Sequence, residues 1–93
     1  MASQLRIYDI RPGDMDEFAR KVAEDIFPVR RAHGFTIDGP WQADENQYVW
    51  IVHHDGDFEE AVEGYVNDPA RKDLAWDPME YITKVDIRMM EDL

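Results

Sequence analysis

The spacing of apolar residues switches between a strand period and a helix period along the chain, and this order constrains the fold more than any other feature. Residues 4–11 alternate with a period of two and end at the turn signal Pro12-Gly13. From Asp14 to Gly34 the apolar residues recur instead at steps of three and four, which is typical of an amphipathic helix. They are Met15, Phe18, Val22, Ile26 and Val29. We predict a strand and then a helix that Asp14 caps, that kinks or restarts at Pro28, and that ends at Gly34.

Two strands of a hairpin come next. Residues 35–43 contain Gly39-Pro40, which indicates a bulge or an edge position because proline cannot donate a hydrogen bond to a central ladder. Residues 47–54 are rich in aromatic and β-branched side chains and give the strongest strand signal in the chain.

A second helix and a last strand complete the pattern. Asp57 followed by Glu60 is a helix-start signature, and a helical stripe then runs from Phe58 to Val66. Asp68-Pro69 opens a short helical segment over residues 70–75, and Asp77-Pro78 ends it. Residues 81–90 are the last predicted strand.

The order strand, helix, strand, strand, helix, strand predicts an α+β domain of the ferredoxin-like βαββαβ kind. Two right-handed crossovers give a four-stranded antiparallel sheet with both helices on one face. We expect residues 1–93 to form a single domain. A chain of this size buries roughly 60–65% of its unfolded surface and gains stability from a partner subunit.

Composition excludes several classes of partner. The formal net charge of −11 repels phosphate backbones and anionic headgroups, so we expect no nucleic-acid or membrane partner. The sequence contains no cysteine, and its three histidines lack the spacing of a metal site. We therefore expect a cytoplasmic protein that uses no metal and no tightly bound cofactor.

Side-chain alternation along each strand predicts which face the helices cover. We assign Leu5 and Ile7, Phe35 and Ile37, Val49 and Ile51, and Thr83, Val85, Ile87 and Met89 to that face. The opposite face would then expose an aromatic and charged set: Arg6, Tyr8, Ile10, Asp38, Tyr48, Trp50, Val52, Lys84, Asp86 and Arg88. Soluble monomers rarely expose such a patch, so we predict a homodimer whose two sheets face each other across a cavity.

The predicted cavity suggests candidate site residues, each with an alternative explanation. The candidate proton-transfer groups are His54, Asp38 and Asp86. The candidate ligand-binding residues are Arg6, Tyr8, Tyr48, Trp50, Trp76, Lys84 and Arg88. The alternatives are that His54 lies at a solvent-exposed rim, that the charged residues pair with one another across the interface, and that the aromatic residues are ordinary core.

Three stretches of the sequence resemble the NIPSNAP family of the dimeric α/β-barrel superfamily. They are LRIYDIRPGDMDEF, FPVRRAHGF leading to Trp41, and YVWIVHHDGDFEEA. The resemblance covers roughly residues 5–75 and implies a dimeric α/β barrel of undefined activity. The aromatic and charged lining of the predicted cavity suggests that it binds a small hydrophobic or aromatic molecule. Relatives in the wider superfamily include cofactor-independent monooxygenases, isomerases and cyclases, which gives one alternative function. A non-enzymatic interaction module is the other.

Overall fold

A computed structural model describes residues 2–93 and contains one four-stranded antiparallel sheet with its helices on one face. The strands lie in the order β2-β3-β1-β4. The elements in chain order are β1 (Ala2–Ile10), α1 (Met15–Lys21), a π-helical turn (Val22–Ile26), α2 (Phe27–Ala32), β2 (Thr36–Ala43), β3 (Gln47–His54), α3 (Phe58–Asn67), α4 (Pro69–Lys72), a 3-10 turn (Pro78–Glu80) and β4 (Ile82–Glu91). The predicted ferredoxin-like α+β fold is confirmed.

The first helical segment restarts where its proline requires it. The π-helical turn precedes α2, and Pro28 lies within the first two positions of that helix. Proline has no amide hydrogen to donate, and the first turn of a helix is where none is needed. The predicted restart at Pro28 is therefore confirmed.

Asp14 does not cap α1 through its side chain, so that part of the prediction is wrong. An N-cap residue normally has an extended backbone, from which its oxygen reaches the amides of the first turn. Asp14 has φ −100° and ψ −2°, which is already close to helical. The other two predicted caps are confirmed: Asp57 accepts from the amide of Glu60 at 3.1 Å, and Asp68 accepts from the amide of Ala70 at 2.9 Å.

The end of α2 is closed by a glycine in the left-handed region. Gly34 has φ +84°, and the amide of Phe35 donates to the carbonyl of Arg30 at 3.2 Å. This six-to-one hydrogen bond is the signature of a Schellman motif. It fixes Arg30 and Phe35 next to each other at the point where the chain enters β2.

Strand β2 is an edge strand with an irregularity, as the sequence predicts. Its register against β3 shifts between Asp38 and Trp41, on either side of Gly39-Pro40. Gly39 has φ +91°, and a Cβ atom there would lie 2.8 Å from the ring of Trp41. Only glycine fits this bulge without displacing the tryptophan.

The predicted faces of β1 and β3 are inverted in the structure. Tyr8, Ile10, Tyr48, Trp50 and Val52 are all buried beneath the helices. We call this side of the sheet the covered face; Arg6 of β1 lies on it too, opposite Ile87 of β4. The assignments of Ile37, Val85 and Ile87 to the covered side are correct, because each pairs with a covered-face residue: Val52, Tyr8 and Arg6.

The other side of the sheet, which we call the bare face, has an aliphatic centre. In the register of β1 and β3, Leu5 lies opposite Ile51 and Ile7 lies opposite Val49. The inversion has a plain cause: both faces of β1 and β3 are apolar, so a period of two does not decide which one the helices cover. The larger aromatic side chains fill the space up to the helices, where Phe18 meets Tyr48 edge-on at 5.0 Å.

None of the helices in residues 2–93 combines the length and the apolar character that a membrane span requires.

Candidate functional site

A cleft of about 390 Å³ lies between the covered face of the sheet and the helices. This volume falls within the range of small-molecule sites, roughly 300–1,000 Å³. Aliphatic side chains from the first helical segment, α3 and β4 form most of its walls, among them Val22, Ile26, Val62 and Ile82. The cleft therefore offers a mostly apolar surface to a ligand.

The floor of the cleft is a set of residues on the two central strands. Tyr8 and Trp50 lie on it with their rings 6.5 Å apart in an edge-on arrangement. The guanidinium of Arg6 lies 5.6 Å from the centre of the Tyr8 ring and 5.5 Å from that of Trp50. Its Nε donates to the Tyr8 hydroxyl at 2.6 Å, and its Nη1 donates to Gln4 Oε1 at 2.6 Å. The floor is thus an aromatic surface that carries a fixed positive charge.

Arg30 supplies a second positive charge and is 6% exposed. Three rings surround its guanidinium: Tyr65 at 4.1 Å, Phe35 at 5.0 Å and Trp50 at 5.5 Å from the ring centres. Within residues 2–93, its Nε and Nη1 are buried and find no hydrogen-bond acceptor. Burial lowers the pKa of Arg30, and the neighbouring positive charge of Arg6 lowers it further.

Arg71 of α4 is the third arginine of the cleft. Its Nε donates to the hydroxyl of Tyr65 at 2.9 Å, so Tyr65 lies between Arg71 and Arg30. Asp77, on the same lining, accepts from the amide of Met79 at 2.9 Å and so holds the 3-10 turn. The cleft is locally positive, although the whole chain carries a net charge of −11.

The structure divides the sequence-predicted site residues between the two faces. Arg6, Tyr8 and Trp50 line the cleft. Tyr48 lies beside them in the core, with a buried hydroxyl that has no partner within residues 2–93, and burial raises its pKa. Trp76 packs against Phe18 and Tyr81 and donates from Nε1 to Asp25 Oδ2 at 2.8 Å.

The charged candidates on β4 are separate from the cleft. Asp86 lies opposite Ile7 on the bare face, and Arg88 lies opposite Leu5. Arg88 Nη2 donates to Asp86 Oδ2 at 2.9 Å, and this hydrogen bond lowers the pKa of Asp86. Lys84 lines a smaller pocket of about 200 Å³ with both of them. The sequence predicts that the aromatic and the charged candidates line one cavity. This prediction is wrong, because the structure places the aromatic residues on the covered face and the charged residues of β4 on the bare face.

Asp38, also on the bare face, belongs to a hydrogen-bonded chain that crosses three strands. Its Oδ2 accepts from His53 Nε2 at 2.7 Å, and His53 Nδ1 lies 2.6 Å from Ser3 Oγ. Asp38 is 54% exposed in its side chain, so this chain lies open at the surface. It joins β2, β3 and β1 at one end of the sheet.

His54 is on the covered face, against its predicted position in an inter-sheet cavity. The amide of Gly56 donates to its Nδ1 at 2.9 Å, which leaves the ring hydrogen on Nε2. That Nε2 hydrogen bonds to the carbonyl of His33 at 3.1 Å. Both ring nitrogens are therefore used to hold the loops that follow α2 and β3.

Comparison with known proteins places this fold. No protein-family model and no curated protein matches the sequence. Solved structures do match: an uncharacterized NIPSNAP domain protein from Burkholderia xenovorans superposes with a TM-score of 0.86 at 16% identity, over 100% of this chain and 95% of that one. A NIPSNAP family protein from Agrobacterium tumefaciens superposes with a TM-score of 0.86 at 18% identity, over 99% and 92% of the two chains.

The chain has the fold of the NIPSNAP domain proteins. An antibiotic biosynthesis monooxygenase shares the fold more distantly, with a TM-score of 0.70 at 14% identity over 100% of this chain and 99% of that one. The sequence-based expectation of a NIPSNAP-like fold is confirmed for the single chain.

Within this NIPSNAP fold, the residues that sequence reasoning missed are Arg30, Tyr65 and Arg71. A signal for Arg30 was present, because Phe18, Val22, Ile26 and Arg30 follow one another at steps of four. This spacing places Arg30 on the buried side of the helical segment. A positive charge near the C-terminus of a helix is also explained by the helix dipole alone, so the residue type by itself does not indicate a cleft residue. Tyr65 belongs to the helical stripe from Phe58 to Val66, which predicts a buried position, whereas Arg71 carries no comparable signal.

Proposed function

We propose that this NIPSNAP-like protein binds a small hydrophobic or aromatic organic molecule in the cleft between its sheet and its helices. The observation that carries the proposal is the cleft itself, about 390 Å³ with aliphatic walls and a floor of Tyr8 and Trp50. Apolar clefts with a few fixed polar groups are the usual form of a small-molecule site. The ligand site thus lies within one chain.

The proposal includes a homodimer formed through the bare face. Four aliphatic side chains, Leu5, Ile7, Val49 and Ile51, form two directly opposed pairs at its centre. Charged residues of β2 and β4 flank them. An apolar centre with a polar rim is the general form of a protein–protein interface, and a two-fold axis would lay one such face on another. The dimer and the ligand site then use opposite faces of one sheet.

Titration with 2-naphthol tests the ligand site, with tryptophan fluorescence as the readout because Trp50 lies on the floor. We expect saturable binding to the wild type. We expect a loss of at least tenfold in affinity for Val62→Phe, because the phenylalanine side chain is larger than that of valine and occupies part of the cleft. Glu63→Phe, on the exposed side of α3, is the matched control and keeps wild-type affinity. Equal affinity of both variants and the wild type would show that the molecule binds elsewhere.

A further inference from the structure

We propose that the molecule held in the cleft is a carboxylic acid, and that Arg30 is the receptor of its carboxylate, with Arg6 adding a second positive charge. This inference rests on the proposed function and names the chemical class of the ligand. Its ground is a buried cation with unused donors on the lining of a cleft whose walls are mostly aliphatic.

The aromatic cage around Arg30 satisfies only part of this side chain. Rings attract a cation through their electron-rich faces, and the contacts with Tyr65, Phe35 and Trp50 offset some of the lost hydration. The guanidinium N–H groups lie in its own plane and need acceptor atoms with lone pairs. Two of its three nitrogens have none among the described residues. A buried donor without a partner is costly, so the cage is incomplete without an acceptor.

Arg6 strengthens the case because it brings a like charge to the same cleft. The positive charge of Arg6 disfavours that of Arg30, and both side chains line the cleft beside Trp50. Two guanidinium groups at one cleft repel each other, and an anion between or beside them offsets this repulsion. A carboxylate matches such a pair, because an ionised oxygen forms the stronger class of hydrogen bond with arginine.

The remaining lining defines the rest of the ligand. Val62, Ile82, Val85 and Ile87 form an aliphatic wall, and the Tyr8 and Trp50 rings form the floor. An anion with an extended polar body would leave its polar groups against this wall without partners. The class that fits is an aliphatic or aromatic acid with one charged end and an apolar remainder.

Matched pairs of probes test the carboxylate directly: 2-naphthoate against 2-naphthamide, and decanoate against decanamide. Each pair keeps the apolar body and replaces the charged group by a neutral one. Binding to the intact protein is followed by calorimetry at low and at high salt. We expect each carboxylate to bind at least tenfold more tightly than its amide, with the difference shrinking as salt is added.

Arg30→Met removes the receptor and keeps a long side chain in the cage. We expect it to abolish the preference for the carboxylate and to leave the affinity for the amide within threefold. Arg31→Gln removes the same charge from the exposed neighbour on α2 and serves as the control, with no change in either affinity. Circular dichroism confirms folding. If Arg30→Met does not fold, Arg6→Met replaces it, and a reduction of the preference is expected.

The outcomes separate the two proposals. Equal binding of acid and amide to the wild type overturns the carboxylate assignment while the proposed function stands. Binding of neither pair overturns both. A preference that persists unchanged in Arg30→Met and in Arg6→Met shows that another group recognises the acid, and overturns the assignment to these arginines.

Discussion

Tyr8 and Tyr48 stack across β1 and β3 with their ring centres 6.1 Å apart and their planes within 6°, but their hydroxyls differ in hydrogen bonding. The Tyr8 hydroxyl accepts a hydrogen bond from Arg6 Nε at 2.6 Å. The Tyr48 hydroxyl is buried with no partner among residues 2–93. One tyrosine belongs to the cleft and the other to the core.

Tyr48→Phe is expected to leave the free energy of unfolding unchanged or to raise it by up to about 1 kcal/mol, because it removes a buried polar group that nothing satisfies. Tyr8→Phe is expected to lower it by about 1 kcal/mol, because it leaves Arg6 Nε without its acceptor. Urea denaturation measures both. A larger loss in Tyr48→Phe than in Tyr8→Phe would contradict the hydrogen bonds described here.

Gly34→Ala is expected to destabilise the protein by about 1–2 kcal/mol, since a non-glycine residue is strained in the left-handed region. The added Cβ would also lie 3.0 Å from His54 Nε2, which already bonds to the carbonyl of His33. Gly13→Ala is the control, because Gly13 has φ +88° but open space around its Cβ position. In thermal unfolding, the Tm of Gly34→Ala should be lower than the Tm of Gly13→Ala. The reverse order would argue against the His54 contact.

Ile51→Glu is expected to yield a monomer, because it places a charge in the aliphatic centre of the bare face. Light scattering after size-exclusion chromatography measures the mass of the wild type and of the variant. Val66→Glu makes the same apolar-to-acid change on the helical side and should leave the dimer intact. A wild type that is monomeric at all accessible concentrations would refute the dimer.

Asp68 makes stability depend on pH in acid. The hydrogen bond from His33 at 2.8 Å, assisted by the amide of Ala70, holds the pKa of Asp68 below its ordinary value. A carboxylate with a lowered folded-state pKa contributes stability above the ordinary pKa and loses it as the pH falls through the folded-state value. Asp68→Asn should therefore be less stable than the wild type at neutral pH, with the difference vanishing in strong acid.

A double-mutant cycle with His33→Gln assigns this effect to the pair. His33→Gln should remove the part of the pH-dependent increment that the pair supplies, and the double variant should lose little more than Asp68→Asn alone. Urea denaturation between neutral and strongly acid pH provides the measurement. Additive losses in the double variant would mean that the two side chains act independently.

The order and the type of the elements were predictable, whereas the faces of the sheet were only half predictable. Strand β3 has the predicted bounds because aromatic and β-branched residues fill it, and the bulge at Gly39-Pro40 follows from proline chemistry. The predicted orientation of β1 is wrong because Leu5 and Ile7 on one side are as apolar as Tyr8 and Ile10 on the other. Where both faces of a strand are apolar, as in β1 and β3, the local pattern does not indicate on which side a helix packs.

The cleft was predictable only through residues that the strands themselves display. The sequence predicts Arg6, Tyr8 and Trp50 as candidate ligand-binding residues of an inter-sheet cavity, and the structure places them instead on the lining of the cleft beneath the helices. To predict Arg30 as a cleft residue, one has to assign a charged side chain to a buried position of a helix. Charged residues are rarely buried, so the residue type argues against that assignment. Lys84, Asp86 and Arg88 are candidates because of their charge. Asp86 and Arg88 form an ion pair within β4 of one chain, which differs from the predicted pairing across an interface.

Strand β1 contributes side chains to both faces of the sheet, the covered face with the cleft and the bare face. Arg6 and Tyr8 point into the ligand cleft, while Leu5 and Ile7 point to the surface proposed for subunit pairing. A displacement of this strand by one residue would exchange the two sets. The hydrogen bonds that β1 makes to β3 and β4 therefore keep the residues of the proposed ligand site and of the proposed subunit interface on their own faces. Substitutions on β1 therefore have to be assayed for both properties, since neither is insulated from the other.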